Sequence, residues 1–269
     1  MDKVLDYSYL QTIVSNIRNN SKTFTTNYYP NEIKDKRLIL LGALFVESIG
    51  NTCFIIKQMN GFYELAFVST DLESLIKSSS FFIQDKTDVF VTDIIGTDIQ
   101  VKELSVALIA LGFRQRRVLH RMVKIGKDEA SQVDNVNVIP ANINDTSAIH
   151  TILLDNFDSL TEKIPSVEEL EKFVDDNRIF LYKDNNNIAG LIIFELTASV
   201  FYLRYWYTSN EYRNKGIGSS LYKKVMYLSG KIKRQMLWVD SNNENAIKRY
   251  ESYGFKLDKL SDIVLTINA

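Results

Sequence analysis

Residues 201–228 read FYLRYWYTSNEYRNKGIGSSLYKKVMYL, and residues 237–255 read LWVDSNNENAIKRYESYGF. The first stretch opens on an aromatic run, 201–208, of the kind that suits a pleated strand. After a polar turn at 209–212, apolar residues recur at helical spacing at Leu221, Val225 and Leu228. Between strand and helix stand Arg213, Lys215, Gly216 and Gly218. A helix start presents unpaired N–H groups and the positive end of a dipole. Glycine lets an anion approach that backbone closely, and the two cations add full charge. The arrangement is a cradle for a phosphate or pyrophosphate.

The residues after Gly218 narrow the kind of phosphate. A nucleotide-binding Walker loop ends in Gly-Lys-Ser/Thr, whereas Gly218 is followed by Ser219 and Ser220. A dinucleotide fingerprint needs a third small residue where Leu221 stands, although Asp240 leaves that reading open. In the second stretch, 237–240 reads as a short strand. Residues 243–253 read as a helix stopped by Gly254. Asn243, Ala246, Ile247 and Tyr250 share one face of that helix, with Asn243 and Tyr250 about 10 Å apart along its axis.

Arg213-x-x-Gly216-x-Gly218 followed by Asn243-x-x-Ala246-Ile247-x-x-Tyr250-x-x-x-Gly254-Phe255 resembles the GNAT superfamily of acyl-CoA-dependent N-acetyltransferases, over about residues 137–269. The resemblance implies an α/β chain of the α+β type, with a mixed, mostly antiparallel sheet flanked by helices. It implies acetyl-CoA as co-substrate and a primary amine, on a small molecule or a peptide, as acceptor. The backbone of Arg213, Asn214, Lys215, Gly216, Ile217, Gly218 and Ser219 would hold the pyrophosphate. Tyr207 and Thr208 would pair with the pantetheine arm like an added strand, and an N–H near Tyr207 would face the oxyanion. Asn243 would steady the arm, and its residue type equally suits a helix N-cap. Tyr250 matches the tyrosine that protonates the leaving sulfur, with Tyr253 offset from the pattern. The base is less determined: Glu195 is the candidate, with Tyr202 and Tyr205 as others acting through water. Asp155, Asp158 and Glu162 lie in the segment that would border the acceptor. A non-catalytic CoA-binding or scaffold protein is the alternative reading.

The first half carries a faint copy. Predicted helices fall at 10–17 and 31–41, the second stopped by Gly42. Strands follow at 43–49, 52–58 and 62–70, punctuated by Gly50-Asn51 and Asn60-Gly61. Asp71 is placed to cap a helix. A strand at 88–93, a helix at 99–111 and a strand at 114–125 complete the half. Residues 62–68 parallel 201–207, residues 90–93 parallel 237–240, and Gly112-Phe113 parallels Gly254-Phe255. The copy is shorter where the phosphate loop belongs, and there it offers Asp71 and Glu73, which are acidic where the ligand is anionic. Two tandem domains are expected: a degenerate, non-catalytic one at 1–128 and a catalytic one at 137–269, joined by a polar linker and acting as a monomer.

Composition sets the remaining bounds. The 269 residues are 45% hydrophobic and 24% charged with a net charge of −1, so no global field recruits nucleic acid or an anionic membrane. Residues 1–20 lack an apolar core, and the longest apolar run, 38–46, is too short to span a bilayer. The single Cys53 sits in an apolar strand pattern and fits a reducing cytoplasm as a buried, inert thiol. Neither His120 nor His150 has partners at ligand spacing, so no metal site is expected. The arginines at 114, 116, 117 and 121 read as a solvated edge.

Overall fold

The computed structural model of the chain describes residues 1–126, 137–185, 187–197, 199–229 and 232–269. The expected linker falls almost wholly outside them. Two compact units emerge: Met1–Leu119 with Lys259–Ala269, and His120–Asp258. These boundaries differ from the 1–128 and 137–269 division that the sequence repeat suggests.

In chain order the first unit contains β1 (Asp2–Lys3), α1 (Tyr7–Asn19), β2 (Thr25–Thr26), α2 (Glu32–Leu41), β3 (Leu44–Ile49), β4 (Thr52–Gln58), β5 (Tyr63–Ser69), α3 (Leu72–Phe82), β6 (Phe90–Thr97) and α4 (Asp98–Ala110). β7 (Arg114–Ile125) begins here and passes into the second unit. The second unit continues with β8 (Val138–Pro140), α5 (Thr146–Asn156), α6 (Ser159–Glu162), α7 (Val167–Asp175), β9 (Ile179–Asp184), β10 (Asn187–Leu196), β11 (Val200–Thr208), α8 (Ile217–Ser229), β12 (Arg234–Asp240) and α9 (Glu244–Ser252). β13 (Lys256–Ile267) then returns the chain to the first unit.

Local chemistry sets most of these limits. Asn31 caps α2 by accepting from the Lys34 N–H, and Gly42 ends that helix in the left-handed region at φ 68°. Ser166 and Glu169 close a reciprocal capping box on α7. Asp145 is the residue before α5, where a capping carboxylate would suit, but its side chain does not cap that helix; it accepts from Asn142 and pairs with Lys183 at 2.6 Å. The reason is local, because a short 3-10 turn at Ile143–Asp145 leads into α5 and takes the carboxylate for its own closure.

The first unit's strands run in the order β1-β3-β4-β5-β6-β13, all antiparallel except β5 beside β6. Its closing strand is therefore C-terminal sequence, with Leu260 to Ile267 against Thr97 to Phe90. In the second unit the order is β7-β12-β11-β10-β9-β8, with β11 parallel to β12. Here the His120-to-Ile125 part of β7 is the end strand, and Met122 lies wholly buried in the core. Each unit is a mixed, mostly antiparallel sheet flanked by helices.

In the first unit β5 and β6 pair only at Tyr63 with Phe90 and Glu64 with Val91. Beyond that they part, and residues 25–28 of the same chain fill the gap. β2 pairs with the end of β5, Thr25 with Ser69 and Thr26 with Val68, on the edge that β4 leaves open. Asn27 then spans the wedge. Its carbonyl accepts from the Phe67 N–H at 2.7 Å, and its amide donates to Thr92 Oγ1 at 2.8 Å and to the Asp93 carbonyl at 3.0 Å. The segment is pinned from behind, since the Tyr28 hydroxyl donates at 2.6 Å to the fully buried Asp35, which also pairs with Lys57.

Asn27→Ala strands partners on both β5 and β6. It is expected to destabilise the protein by about 2–4 kcal/mol in urea unfolding, whereas Gln11→Ala on the exposed face of α1 shifts stability by less than about 0.5 kcal/mol.

Candidate active site

In the second unit the equivalent wedge lies between β11 and β12. Their parallel pairing covers only Val200 with Arg234, Phe201 with Gln235 and Tyr202 with Met236. β10 stays paired to β11 as far as Thr208. From Leu203 onward, the edge of β11 that faces away from β10 therefore has no paired strand among the described residues. Backbone donors and acceptors presented in this way suit an extended ligand that adds as a strand.

A β-bulge shapes the same strand. The β10–β11 register moves from Ile193 opposite Tyr205 to Phe194 opposite Leu203, which leaves Arg204 as the extra residue. The bulge reverses the alternation of faces. Phe201 and Leu203 pack with Leu221, Tyr222 and Val225 on the α8 side. After the bulge Trp206 takes over that side, while Tyr205 and Tyr207 pack with Ile149, Leu153 and Leu170 on the α5 and α7 side.

α8 starts at the mouth of the wedge. Arg213, Asn214, Lys215 and Gly216 are exposed, whereas Ile217 and Gly218 are buried. The loop bends through two left-handed residues, Asn214 at φ 63° and Gly216 at φ 76°. A side chain at Gly216 would meet nothing within 4 Å, so glycine is there for its backbone angle. Gly218 is the opposite case, because a Cβ there would stand 3.2 Å from Trp206 Nε1. The first hydrogen bond of the helix runs from Ser220 N–H to the Gly216 carbonyl, so the Ile217, Gly218 and Ser219 N–H groups point out of the helix end. Tyr212 moors the loop by donating to Asp184 Oδ2 at 3.0 Å, and Lys215 Nζ lies 4.8 Å from the centre of its ring. These residues fit a pyrophosphate. Nothing in the pattern of the sequence marks Gly190, yet its added Cβ would fall 2.9 Å from Ile217 Cγ2, so it allows α8 to lie close on the sheet.

α9 supplies the remaining groups. Asn243 is its N-cap, accepting from the Ala246 N–H at 3.1 Å. Tyr250 packs in an aromatic group with Trp206 at 5.9 Å and Phe255 at 6.1 Å between centroids. Tyr253 lies against Trp206 and Tyr222 in the same group. Burial pushes the Tyr250 phenol up to about 12, with the negative charge of Glu162 adding to the effect.

Polar contacts also line the side of β11 away from α8. Arg204 Nη1 donates to Glu195 Oε1 at 2.6 Å, so the candidate base is held in an ion pair. Tyr202 lies opposite Glu195 in the register. The Tyr205 hydroxyl donates to the carbonyls of Glu162 and Lys163, at 2.6 and 3.1 Å, and ties α6 to the strand. Asp158 caps α6 by accepting from the Leu160 N–H at 3.2 Å, and Asp155 lies one turn back on α5. Elsewhere Cys53 is buried and its thiol is pushed up to about 11 by desolvation. Among the described residues no three metal-ligating side chains cluster, and no helix is long and apolar enough to cross a membrane.

Residues 146–255 match the sequence model of the acetyltransferase (GNAT) family. No curated protein matches the chain by sequence. Among solved structures, a tandem GNAT protein from the clavulanic acid biosynthesis pathway superposes with a TM-score of 0.62 at 8% identity, covering 96% of this chain and 93% of its own. A Drosophila protein gives 0.60 at 12% identity, with 98% and 97% covered. A putative acetyltransferase from the GNAT family of Novosphingobium aromaticivorans gives 0.54 at 13%, with 88% and 93% covered. At these identities the likeness is one of fold.

An unfolded tyrosine releases its proton near its ordinary value of 10.0, whereas folded Tyr250 holds it to about 12. The folded state therefore binds the extra proton in that window, and stability falls as pH rises from 10 to 12. Urea unfolding at several pH values in that range is expected to show a shallower fall for Tyr250→Phe.

Proposed function

We propose that the second unit, whose residues 146–255 match the sequence model of the GNAT acetyltransferase family, transfers an acetyl group from acetyl-CoA to a primary amine of a small molecule or peptide. The observation that carries this reading is the contrast between the two wedges. In the second unit the wedge opens beside a glycine-bearing helix start with exposed Arg213 and Lys215. In the first unit it is filled by the chain itself, and α3 begins at Asp71, whose carboxylate accepts from the Ser74 N–H at 2.7 Å. That helix end is thus satisfied internally and carries negative charge where a pyrophosphate would need to sit. The first unit is accordingly proposed to be non-catalytic.

Acetyl-CoA supplies an acyl group already activated as a thioester. The N–H groups of residues 213–219, with Arg213 and Lys215, suit its pyrophosphate. The open edge of β11 through Tyr207 and Thr208 suits the pantetheine arm, and Asn243 at the start of α9 is proposed to steady it. A new C–N bond replaces the C–S bond, so the acceptor nitrogen must lose a proton and the sulfur must gain one. Tyr250 is protonated across the physiological range and can deliver a proton, or a strong hydrogen bond, to the sulfur. A phenol held to about 12 is a weak acid, but burial raises a thiol in the same direction, as Cys53 illustrates within this chain. Glu195 is proposed to take the amine proton, and its pairing with Arg204 means that it would act through a shift of that pair or a relaying water. The buried lone thiol fits action in a reducing cytoplasm.

Acetyl-CoA at 100 times its dissociation constant should stabilise the protein by about 2.7 kcal/mol, read as a melting shift that Gly218→Glu removes. Tyr250→Phe should lower kcat by about 100-fold while leaving the acetyl-CoA dissociation constant within about threefold. Isothermal titration should give one acetyl-CoA per chain; two would show that the first unit also binds, and no binding would sink the acyl-transfer reading.

A further inference from the structure

The acceptor side of β11 is lined by both signs of charge. Arg204 projects from the bulge with its side chain only 17% exposed. Its guanidinium carbon lies 5.4 Å from the Tyr202 ring centre and 5.8 Å from that of Tyr205. Ring contacts of this kind engage the face of the cation. Glu195 takes Nη1. A guanidinium offers five N–H donors in a planar fork, more than one carboxylate oxygen can satisfy, and the fork matches a second carboxylate in shape.

A second cation belongs to the same wall. Lys163 ends α6 with its backbone in the left-handed region at φ 50°, an uncommon conformation for a non-glycine residue. The Tyr205 hydroxyl holds it there through the Glu162 and Lys163 carbonyls. Burial raises the Tyr202 phenol above its ordinary value, with smaller opposing effects from the charges of Arg204, Glu195, Glu162 and Lys163. Arg204 and Glu195 thus form a charged pair beside Tyr202, and Tyr205 ties Glu162 and Lys163 to the same strand. A lining of this kind complements a molecule that itself carries both signs, and it is a poor match for a plain polyamine, which would leave both cations facing like charge.

We propose that the acceptor is an amine that also bears a carboxylate, an α-amino acid in its simplest form, with Arg204 binding the carboxylate and Glu195 facing the amine. This rests on the acyl-transfer reading and narrows it. Arg204 is then a specificity-determining residue.

The test compares histidine, lysine and phenylalanine with their amides and with histamine, 1,5-diaminopentane and 2-phenylethylamine, measuring thiol release from acetyl-CoA. The amides keep the amine and lose only the charge. The free acids are expected to be favoured by about 10- to 100-fold in kcat/KM. Arg204→Gln should abolish that preference mainly through KM, and Arg204→Lys, which keeps the charge but not the fork, should retain part of it. The acetyl-CoA melting shift, read on every variant without amine, shows that fold and donor binding persist. Equal or better use of the amides, a preference that survives Arg204→Gln, or no turnover of any amino acid while the donor shift persists would each overturn the proposal. Loss of the donor shift in the unmutated protein would instead overturn the acyl-transfer reading and this one with it.

Discussion

Two parallel strands that separate after three paired residues are the constraint on which the second unit depends. A strand edge inside a fold must find partners, because unpaired backbone groups away from water are costly. β11 meets that demand on one side with β10 and leaves the other side open toward the start of α8. The first unit meets the same demand differently. Its parallel pair separates after two paired residues, and its own Asn27 and β2 take up the exposed groups. One geometry thus has two solutions in a single chain, one closed by the chain itself and one suited to a ligand.

The bulge at Arg204 decides which side chains the open wedge meets. Uninterrupted alternation would put Phe201, Leu203, Tyr205 and Tyr207 on one face. With one extra residue inserted, Trp206 joins the α8 side beside Gly218, and Tyr205 turns to hold α6. The aromatic run is therefore shared between two tasks: packing against α8 through Trp206 and tying down α6 through Tyr205.

Much of this is legible in the sequence because it is local. The aromatic strand, the Arg213-to-Gly218 loop, the Asn243 cap and the tyrosine seven residues on depend on neighbours along the chain, and so do the Asp71 cap and the Gly50 and Gly61 turns. What cannot be read depends on pairing between distant residues. Asn27 looks like any polar loop residue, and its partners lie 40 and 65 positions away. The bulge leaves no composition signal, so the alternation of 201–207 suggests a single buried face. Glu195 reads as an isolated acid along the chain, and only the pairing of β10 with β11 brings Arg204 to it. Asp145 stands where a cap belongs, yet the turn before α5 competes for its carboxylate and wins. The repeat also hides an exchange. β7 and β13 resemble each other, and periodicity cannot say that each one completes the unit built from the other half.

That exchange has a consequence for how the protein is made. Ser261 of the closing strand and Asp98 of the first unit interact across 163 positions of chain. Translation proceeds at about 5–20 residues per second, so the first unit waits many seconds on the ribosome with β6 exposed along one edge. An unpaired edge is a template for unwanted strand addition. Completion of the N-terminal unit thus depends on synthesis of the other unit, and a chain truncated before residue 260 would leave it one strand short.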